Sequence, residues 1–233
     1  MSANAIPTTT HGKPTIGRAY SFLASSIGRK VVMAVTGVVL VGFVVVHMLA
    51  NLQLYLGPAA LNGYAERLRE MPALLWGVRL LLLVSVALHI WAAVSLTRTN
   101  MAARGVGYRE RRNRESTYAS RTMRWSGVLL LLFIVYHLLH FTVGTVHPSF
   151  VPGDVYHNMI AGFQTGIVPF FYIVSMLALG LHMYHGIWSL MQTVGLSHPR
   201  YDRLRYAFAA LVTAVVILGN LSFPLAVMTG LVK

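Results

Sequence analysis

The chain of 233 residues contains no cysteine and only six acidic residues. Without cysteine it cannot form disulfides or thiolate-ligated metal sites, so histidine is the obvious strong metal ligand. Charged residues make up 11% of the sequence, whereas a soluble domain has about 25%. Since 56% of the residues are hydrophobic, the composition excludes an ordinary soluble domain and indicates a polytopic membrane protein.

Five apolar stretches are long enough to cross a bilayer, which takes about 20 residues as a helix. They run over Lys30–Leu49, Leu74–Leu96, Met123–Thr145, Gly166–Met191 and Leu204–Met228. Backbone groups inside lipid have no water to bond, so the stretches must be helices. We therefore predict an all-α membrane protein, with an N-terminal segment over 1–29 and one five-helix transmembrane domain over 30–230. No apolar core precedes the first stretch, so we expect no cleaved signal peptide.

Basic residues are concentrated in alternate connections. Most of the 19 Lys and Arg lie before helix one, between helices two and three, or between helices four and five. The positive-inside rule then predicts a cytoplasmic N-terminus and an outer C-terminus in the cytoplasmic membrane. Because the basic residues are confined to short connections, the net charge of +13 is explained without nucleic-acid binding. The long basic connection, Arg98–Arg124, has two open interpretations: topology control with attraction to anionic lipid, or a docking surface for a peripheral partner.

The two longer connections on the other side of the membrane have a different composition. Asn51–Pro72 contains a segment of helical character, and His147–Gln164 contains Pro148, Pro152 and Gly153. We expect both to form short surface helices or lids over the outer face.

One histidine lies within each of the first four stretches: His47, His89, His137 and His182. A polar, ionisable group at membrane depth is costly and is by default a functional-site hypothesis. Counting about 1.5 Å per residue from the predicted helix ends, we place His47 and His137 at an outer level and His89 and His182 at an inner level, about 5–10 Å away. Each pair joins two helices that run in the same direction.

This arrangement predicts two stacked haems. Haem iron takes axial ligands from opposite sides, and neutral imidazole suits it. Facing helices in a bundle supply such ligands, so we expect the first four helices to form a haem-binding bundle. Because no cysteine can attach the macrocycle, both haems are expected to be b-type. A single membrane histidine is as readily explained by a structural hydrogen bond, but two matched pairs favour ligation.

Spacing alone does not identify every ligand. His140 and His185 follow His137 and His182 by three residues and share their helix faces. Their alternative role is a hydrogen bond to a haem propionate, a partner side chain or water. Gly37 and Gly127 each precede an outer-level histidine by ten residues. This repeated spacing suggests the close approach of helices that a flat cofactor needs. For these glycines, ordinary small-residue helix packing is the preferred interpretation.

Several short motifs are similar to those of a known family. They are Val46-His47-Met48 with Asn51 following, Leu88-His89, Tyr136-His137, and the segment LHMYHGIWS over 181–189, which is the most specific. In all five helices the chain resembles the cytochrome b anchor of di-haem, single-anchor succinate:quinone oxidoreductases, which include quinol:fumarate reductases. The resemblance implies His137 and His182 as ligands rather than His140 and His185. It pairs His47 with His137 on a distal haem and His89 with His182 on a proximal haem.

The resemblance also implies partners. An iron–sulfur subunit, itself carrying a flavoprotein that handles succinate or fumarate, is expected to dock on Arg98–Arg124, the N-terminal segment and Arg200–Arg205. Electrons would pass from its clusters through the proximal and distal haems to membrane quinone, which is expected to be menaquinone. The chain itself has no flavin or dinucleotide fingerprint and no cluster-binding cysteine, so it cannot perform the dicarboxylate chemistry alone.

Two quinone sites are candidates. One is at the inner face, where Ser25 with Ser26, Arg29 and Lys30 open helix one. The other is near the distal haem, where Arg79, or else Arg67 or Arg69, is a candidate contact of a propionate or a quinone oxygen. His140 and His185 are further candidates for such contacts, and the alternative for Arg79 is snorkelling to the interface.

One position departs from the family's pattern. Some quinol:fumarate reductases have a Glu for transmembrane proton movement two residues before the fourth-helix ligand, where this chain has Gly180. No acidic residue lies within the five predicted spans, so we do not expect that proton route, although His140 and His185 are alternative proton carriers.

Three other functions compete with this interpretation. A di-haem cytochrome of a hydrogenase or formate dehydrogenase is also histidine-rich, but the fourth-helix motif argues against it. A haem-free transporter using histidines would place its binding groups near mid-membrane, often at broken helices, rather than at two levels. A structural anchor without haem is disfavoured by the intact set of ligands.

Overall fold

The computed structural model describes residues 21–103 and 118–233, which are helical with short turns and contain no β-strand. The main α-helices in these ranges are α1 (Ser26–Asn51), α2 (Pro58–Arg69), α3 (Pro72–Ala102), α4 (Tyr118–His137), α5 (Val155–Phe163), α6 (Val168–Thr193) and α7 (Asp202–Met228). A π-helix over Leu138–Val143 continues α4. The five long helices α1, α3, α4, α6 and α7 are long and apolar enough to cross a membrane. The predicted fold class, an all-α protein with five membrane spans, is therefore confirmed.

Several helix ends differ from the predicted ones. The first helix begins at Ser26 rather than Lys30 because Ser25 caps it, its Oγ accepting from the Gly28 N–H at 3.0 Å. The second continues past Leu96 to Ala102. Arg98 therefore lies in α3, and the arginines at 121 and 124 lie in α4. Of the predicted basic connection, residues 104–117 lie outside the described residues, as do residues 1–20 of the N-terminal segment.

The fifth helix also corrects the prediction that the spans contain no acidic residue. It begins at Asp202, two residues earlier than predicted. The Asp202 carboxylate pairs with the Arg205 guanidinium at 2.9 Å. A carboxylate is tolerated in this first turn because it faces a cation and lies at the positive end of the helix dipole.

The long helices pack in an ordered set. Helix α1 packs along α3, α4 packs along α6, and α7 packs on α6 while also touching α1. We call the end that carries Arg29, Arg98 and Arg203 the basic end, and the opposite end the capped end. Large apolar side chains such as Leu83 and Leu218 remain exposed on the outer surface of the bundle, as expected of helices that face lipid.

The capped end is covered by α2 and α5, which confirms the expectation of short helices in these two connections. The Asn62 amide donates to the Asp154 carboxylate at 2.9 Å, and the Tyr156 backbone N–H donates to the Asn62 carbonyl oxygen at 2.9 Å. Asp154 also caps α5 by accepting from the His157 backbone N–H. These two hydrogen bonds, first that from His157 and then that from Asn62, hold the pKa of the Asp154 carboxyl below its usual range.

A glycine ends the π-helix and turns the chain toward α5. Gly144 has φ +83°, a left-handed conformation that glycine adopts without steric cost. A Cβ at this position would lie 2.3 Å from the Phe150 ring, so no larger residue fits. The turn places His147 back over the end of α4, against His140.

Candidate cofactor-binding site

The structure brings the spanning-helix histidines together in two pairs. The rings of His47 and His137 have centroids 5.9 Å apart and an interplanar angle of 88°. The rings of His89 and His182 have centroids 6.3 Å apart and an interplanar angle of 55°. These are the two pairs that helix depth predicted, and each joins side chains from two different spanning helices.

Both separations fit axial ligation of one metal ion between two imidazoles. A metal–imidazole bond of about 2 Å places the centroids of two opposed imidazoles about 6 Å apart. Among the described residues, no group of three or more His, Cys, Asp or Glu side chains could hold a metal ion. A bare zinc ion takes three or four protein ligands, whereas haem iron takes its remaining ligands from the macrocycle. The donor set therefore suits haem.

The two levels are further apart than the 5–10 Å that helix ends had predicted. A Cβ on Gly37 would lie 3.6 Å from His89 Cε1, and one on Gly127 would lie 3.7 Å from His182 Cε1. The inner histidines thus lie beside glycines that precede the outer histidines by ten residues, about 15 Å along a helix. The predicted separation of the two levels was too small because the charged residues that mark the predicted helix ends lie within the helices. Within 4 Å, a Cβ on either glycine would contact only the imidazole of an inner histidine, so both glycines lie beside the candidate site.

Hydroxyl groups hold both histidines of the inner level. Thr36 Oγ1 lies 3.1 Å from His89 Nδ1, and Ser126 Oγ lies 3.2 Å from His182 Nδ1. Each hydroxyl donates its proton to a carbonyl of its own helix, Thr36 to Val32 at 2.7 Å and Ser126 to Met123 at 3.0 Å. When the hydroxyls donate to these carbonyls, each accepts from the histidine Nδ1–H, and this arrangement leaves the Nε2 lone pair available to a metal.

The outer histidines have different partners. The Asn51 amide donates to His47 Nε2 at 3.2 Å, and the His47 ring stacks on Phe43. The hydroxyl of Tyr172 lies 3.4 Å from His137 Nδ1. His47 already has the tautomer with a lone pair on Nε2, but Asn51 must release that nitrogen before a metal can bind it.

His140 and His185 occupy other surroundings. His140 is fully buried in the π-helix, where its Nδ1 lies 3.1 Å from the Tyr172 hydroxyl and its ring stacks on His147. The ring of His185 packs edge-on against Trp188 at 4.7 Å. The expected alternative, a hydrogen bond to a partner side chain, is met for His140 by Tyr172.

The candidate quinone contacts are divided between the two ends. At the basic end, Ser25 caps α1, and the Arg29 guanidinium donates to Thr99 Oγ1 at 2.9 Å and to the Ala24 carbonyl at 2.7 Å. Arg29 thereby ties the start of α1 to the end of α3. Lys30 is exposed at the same end. Arg79 is exposed in the capped half of α3, and its guanidinium stacks over Trp76 at 5.0 Å.

The prediction that Arg205 belongs to the docking surface is wrong, because the side chain is buried, with 8% of its area exposed. Its guanidinium forms an ion pair with Asp202, donates to Ser197 Oγ and lies over the rings of Trp188 and Tyr206. A side chain held in this way stabilises the α6–α7 connection and is not available to a partner protein. Arg200 and Arg203 are exposed.

The sequence analysis missed three side chains at this site: Thr36, Ser126 and Tyr172. A signal was present for the first two, since each immediately precedes one of the two noted glycines. In two helices, a residue with a hydroxyl group is followed by a glycine that precedes a histidine by ten residues. This repeated pattern matches the common role of Thr36 and Ser126. Tyr172 had no local signal, because it reaches His137 only through the packing of α6 against α4.

Comparison with known proteins gives a family for the chain. Residues 96–219, more than half of the sequence, match the family described as succinate dehydrogenase/fumarate reductase transmembrane subunit. No curated protein and no solved structure matches the chain. The matched region spans the end of α3 through α7 and includes His137 and His182. With five membrane spans and this match, the chain belongs to the succinate dehydrogenase/fumarate reductase transmembrane subunit family, whose members are multi-pass membrane subunits of multi-subunit enzymes.

Proposed function

We propose that this subunit is a di-haem cytochrome b anchor. Two b-type haems bind it, one between His47 and His137 (distal) and one between His89 and His182 (proximal). An iron–sulfur subunit carrying a flavoprotein docks at its basic end, and the subunit passes electrons between these partners and membrane quinone, which we propose is menaquinone. It lies in the cytoplasmic membrane with the N-terminus in the cytoplasm and the C-terminus outside.

The observation that carries the proposal is the pairing of four histidines at two levels with separations of 5.9 and 6.3 Å. Within each pair the two imidazoles are at the spacing of opposed ligands and are not hydrogen-bonded to each other, and this arrangement supports ligation of a shared metal ion. Bound haem supplies a one-electron carrier at each level. Thr36 and Ser126 orient the inner rings and fix their tautomers, and this is the role of outer-shell partners at metal-binding histidines.

Charge supports the basic end as the docking face. Lys30, Arg98, Arg121, Arg124, Arg200 and Arg203 lie there. The proximal pair is the nearer of the two to this end, so electrons that arrive there have the shorter first step. Positive residues on this side also favour its retention in the cytoplasm, where the soluble partners of such a complex would reside.

For the quinone contact, we propose Arg79 rather than the group at the start of α1. Ser25 and Arg29 are engaged in capping α1 and joining it to α3, whereas Arg79 is exposed in the capped half of the bundle. Arg79→Gln should therefore raise the KM for quinone, while Lys30→Gln should leave it unchanged. Equal KM values for Arg79→Gln and wild type would exclude this contact.

The transporter alternative receives no support from the geometry. A histidine-dependent metal permease needs converging ligands for its cargo, and among the described residues no such group of three exists. The family assignment also separates the chain from cytochromes of hydrogenases and formate dehydrogenases.

A reduced-minus-oxidised visible spectrum of the purified complex, with pyridine haemochrome quantification per polypeptide, tests the proposal. Two b haems with low-spin, bis-imidazole bands are expected. One haem would mean that one histidine pair is misassigned. Absence of haem from well-folded protein would overturn the di-haem proposal and leave the membership of the family unaffected.

A further inference from the structure

We propose that Tyr172 and His140 form a hydrogen-bond relay that positions the outer-level ligand His137 and lowers the reduction potential of the haem it binds. The proposal rests on the proposed function, because it assigns residues that act on a haem through its ligand. Tyr172 and His140 are thus positioning residues.

The relay consists of one hydroxyl between two imidazole nitrogens. The Tyr172 oxygen lies 3.4 Å from His137 Nδ1 and 3.1 Å from His140 Nδ1. Tyr172 is 5% exposed and His140 is 0% exposed, so water does not compete for these groups. A hydroxyl carries a single proton, and it can donate to only one of the two nitrogens while it accepts from the other.

Ligation through His137 fixes the direction of the relay. A neutral imidazole that binds a metal through Nε2 carries its proton on Nδ1, so His137 donates to the Tyr172 oxygen. The Tyr172 O–H is then free to donate to His140 Nδ1. His140 must consequently carry its own proton on Nε2, which has no hydrogen-bond partner among the described residues. The relay therefore ends in a buried N–H group.

The surrounding structure holds the relay rigid. His140 lies in the π-helix that follows His137, a feature that often marks functional sites. Its ring stacks on Tyr136 and on His147. On the other side, Gly162 of α5 lies so close that a Cβ there would be 2.8 Å from His140 Cε1. The ring cannot rotate away from Tyr172 without displacing the cap.

A hydrogen bond from the ligand's N–H to an acceptor raises the basicity of the ligand and so stabilises the oxidised metal. Donation from Tyr172 to His140 strengthens Tyr172 as an acceptor, since hydrogen bonds in a chain polarise one another. His140 therefore acts on the haem through two hydrogen bonds. The relay lowers the potential of the outer haem, and it differs from the chains at the inner pair, whose hydroxyls donate to backbone carbonyls and not to a second histidine.

The test is a redox titration of both haems in the purified complex, with Tyr172→Phe compared to wild type. The midpoint potential of the outer haem is expected to rise, and that of the inner haem to remain unchanged. Tyr136→Phe is the matched control, because it removes a tyrosine hydroxyl beside His140 that does not belong to the relay. His140→Leu should raise the outer potential in the same direction as Tyr172→Phe, while His140→Asn, which keeps an acceptor, should restore part of the wild-type value.

Two haems in Tyr172→Phe with an unchanged outer potential would overturn the relay. If Tyr172→Phe loses the outer haem, the comparison of His140→Leu with His140→Asn decides, and equal outer potentials in these two variants would overturn it. Wild-type protein without haem would instead overturn the proposed function, so the two failures are distinguishable.

Discussion

At the inner level both histidines are held by hydroxyls of neighbouring helices, whereas at the outer level one histidine is held by an amide of its own helix and the other by a tyrosine. Thr36 and Ser126 occupy equivalent positions on α1 and α4 and fix equivalent tautomers. Asn51 and Tyr172 have no such symmetry. The inner level is thus prearranged for a ligand, while the outer level must change one hydrogen bond.

The two levels also differ in what covers them. The outer level lies beneath α2 and α5 and within a cluster of aromatic rings around Tyr172. The inner level lies between long helices alone. The two histidine pairs thus differ in their hydrogen-bond partners and in their cover, and differences of this kind change the reduction potential of a metal cofactor bound between histidines.

Removal of single ligands gives the largest expected effect. His182→Ala should lose the inner haem and His137→Ala the outer one, so that haem per polypeptide falls from two to one in each variant. Pyridine haemochrome quantification measures the number, and redox titration identifies which haem remains. A variant that keeps both haems would show that its histidine is not an axial ligand.

Gly162→Ala tests the tight cover of the outer level. The new Cβ would lie 2.8 Å from His140 Cε1 and 3.0 Å from Phe141, and overpacking of this kind costs about 1–3 kcal/mol. Thermal unfolding in detergent, followed by circular dichroism, should show lower stability. Gly63→Ala in α2 is the control: a Cβ there meets nothing within 4 Å, so the helix should gain about 0.5–1 kcal/mol. Equal stabilities of the two variants would contradict a tight cap.

Removal of the inner hydroxyls sharpens the difference between the levels. Ser126→Ala and Thr36→Val should each weaken binding of the inner haem by about 10-fold or more, as outer-shell changes do, and leave the outer haem bound. Haem retention during dilution or competition with apo-myoglobin measures the change. Ser175→Ala is the control, since that buried hydroxyl bonds only to the Phe171 carbonyl of its own helix. A loss of outer haem in Ser126→Ala would contradict separate levels.

The smallest effect is expected from Asp154 at the cap. Its folded-state pKa lies below the unfolded value near 4, so its stabilisation is complete above that value and is lost as the pH falls through the folded pKa. Protection factors of α5 amides, which correct for the intrinsic pH dependence of hydrogen exchange, should fall in wild type below pH 4. Asp154→Asn should show lower protection factors than wild type at neutral pH and little further change on acidification. An identical acid response in both proteins would assign the effect to another group.

Composition and hydrophobic length were sufficient to predict the five membrane helices, because lipid leaves the backbone no alternative to internal hydrogen bonds. The sequence was also sufficient to pair His47 with His137 and His89 with His182, since alternating helix direction and rise per residue fix relative depth. The separation of the levels was predicted less well, because charged residues that mark the membrane boundary also continue the helices, as at Arg98.

Only the tertiary structure decided which side chains surround the histidines. Thr36 and Ser126 reach histidines on other helices, and Tyr172 bridges His137 and His140 across the α4–α6 contact. In the tertiary structure Arg205 is also buried, and Arg29 is hydrogen-bonded to the end of α3. Contacts of this kind depend on the rotation of each helix about its axis and on packing against its neighbours, which sequence periodicity does not specify. The positions of the histidines are therefore determined by the sequence of each helix, whereas the contacts that adjust their properties form between helices.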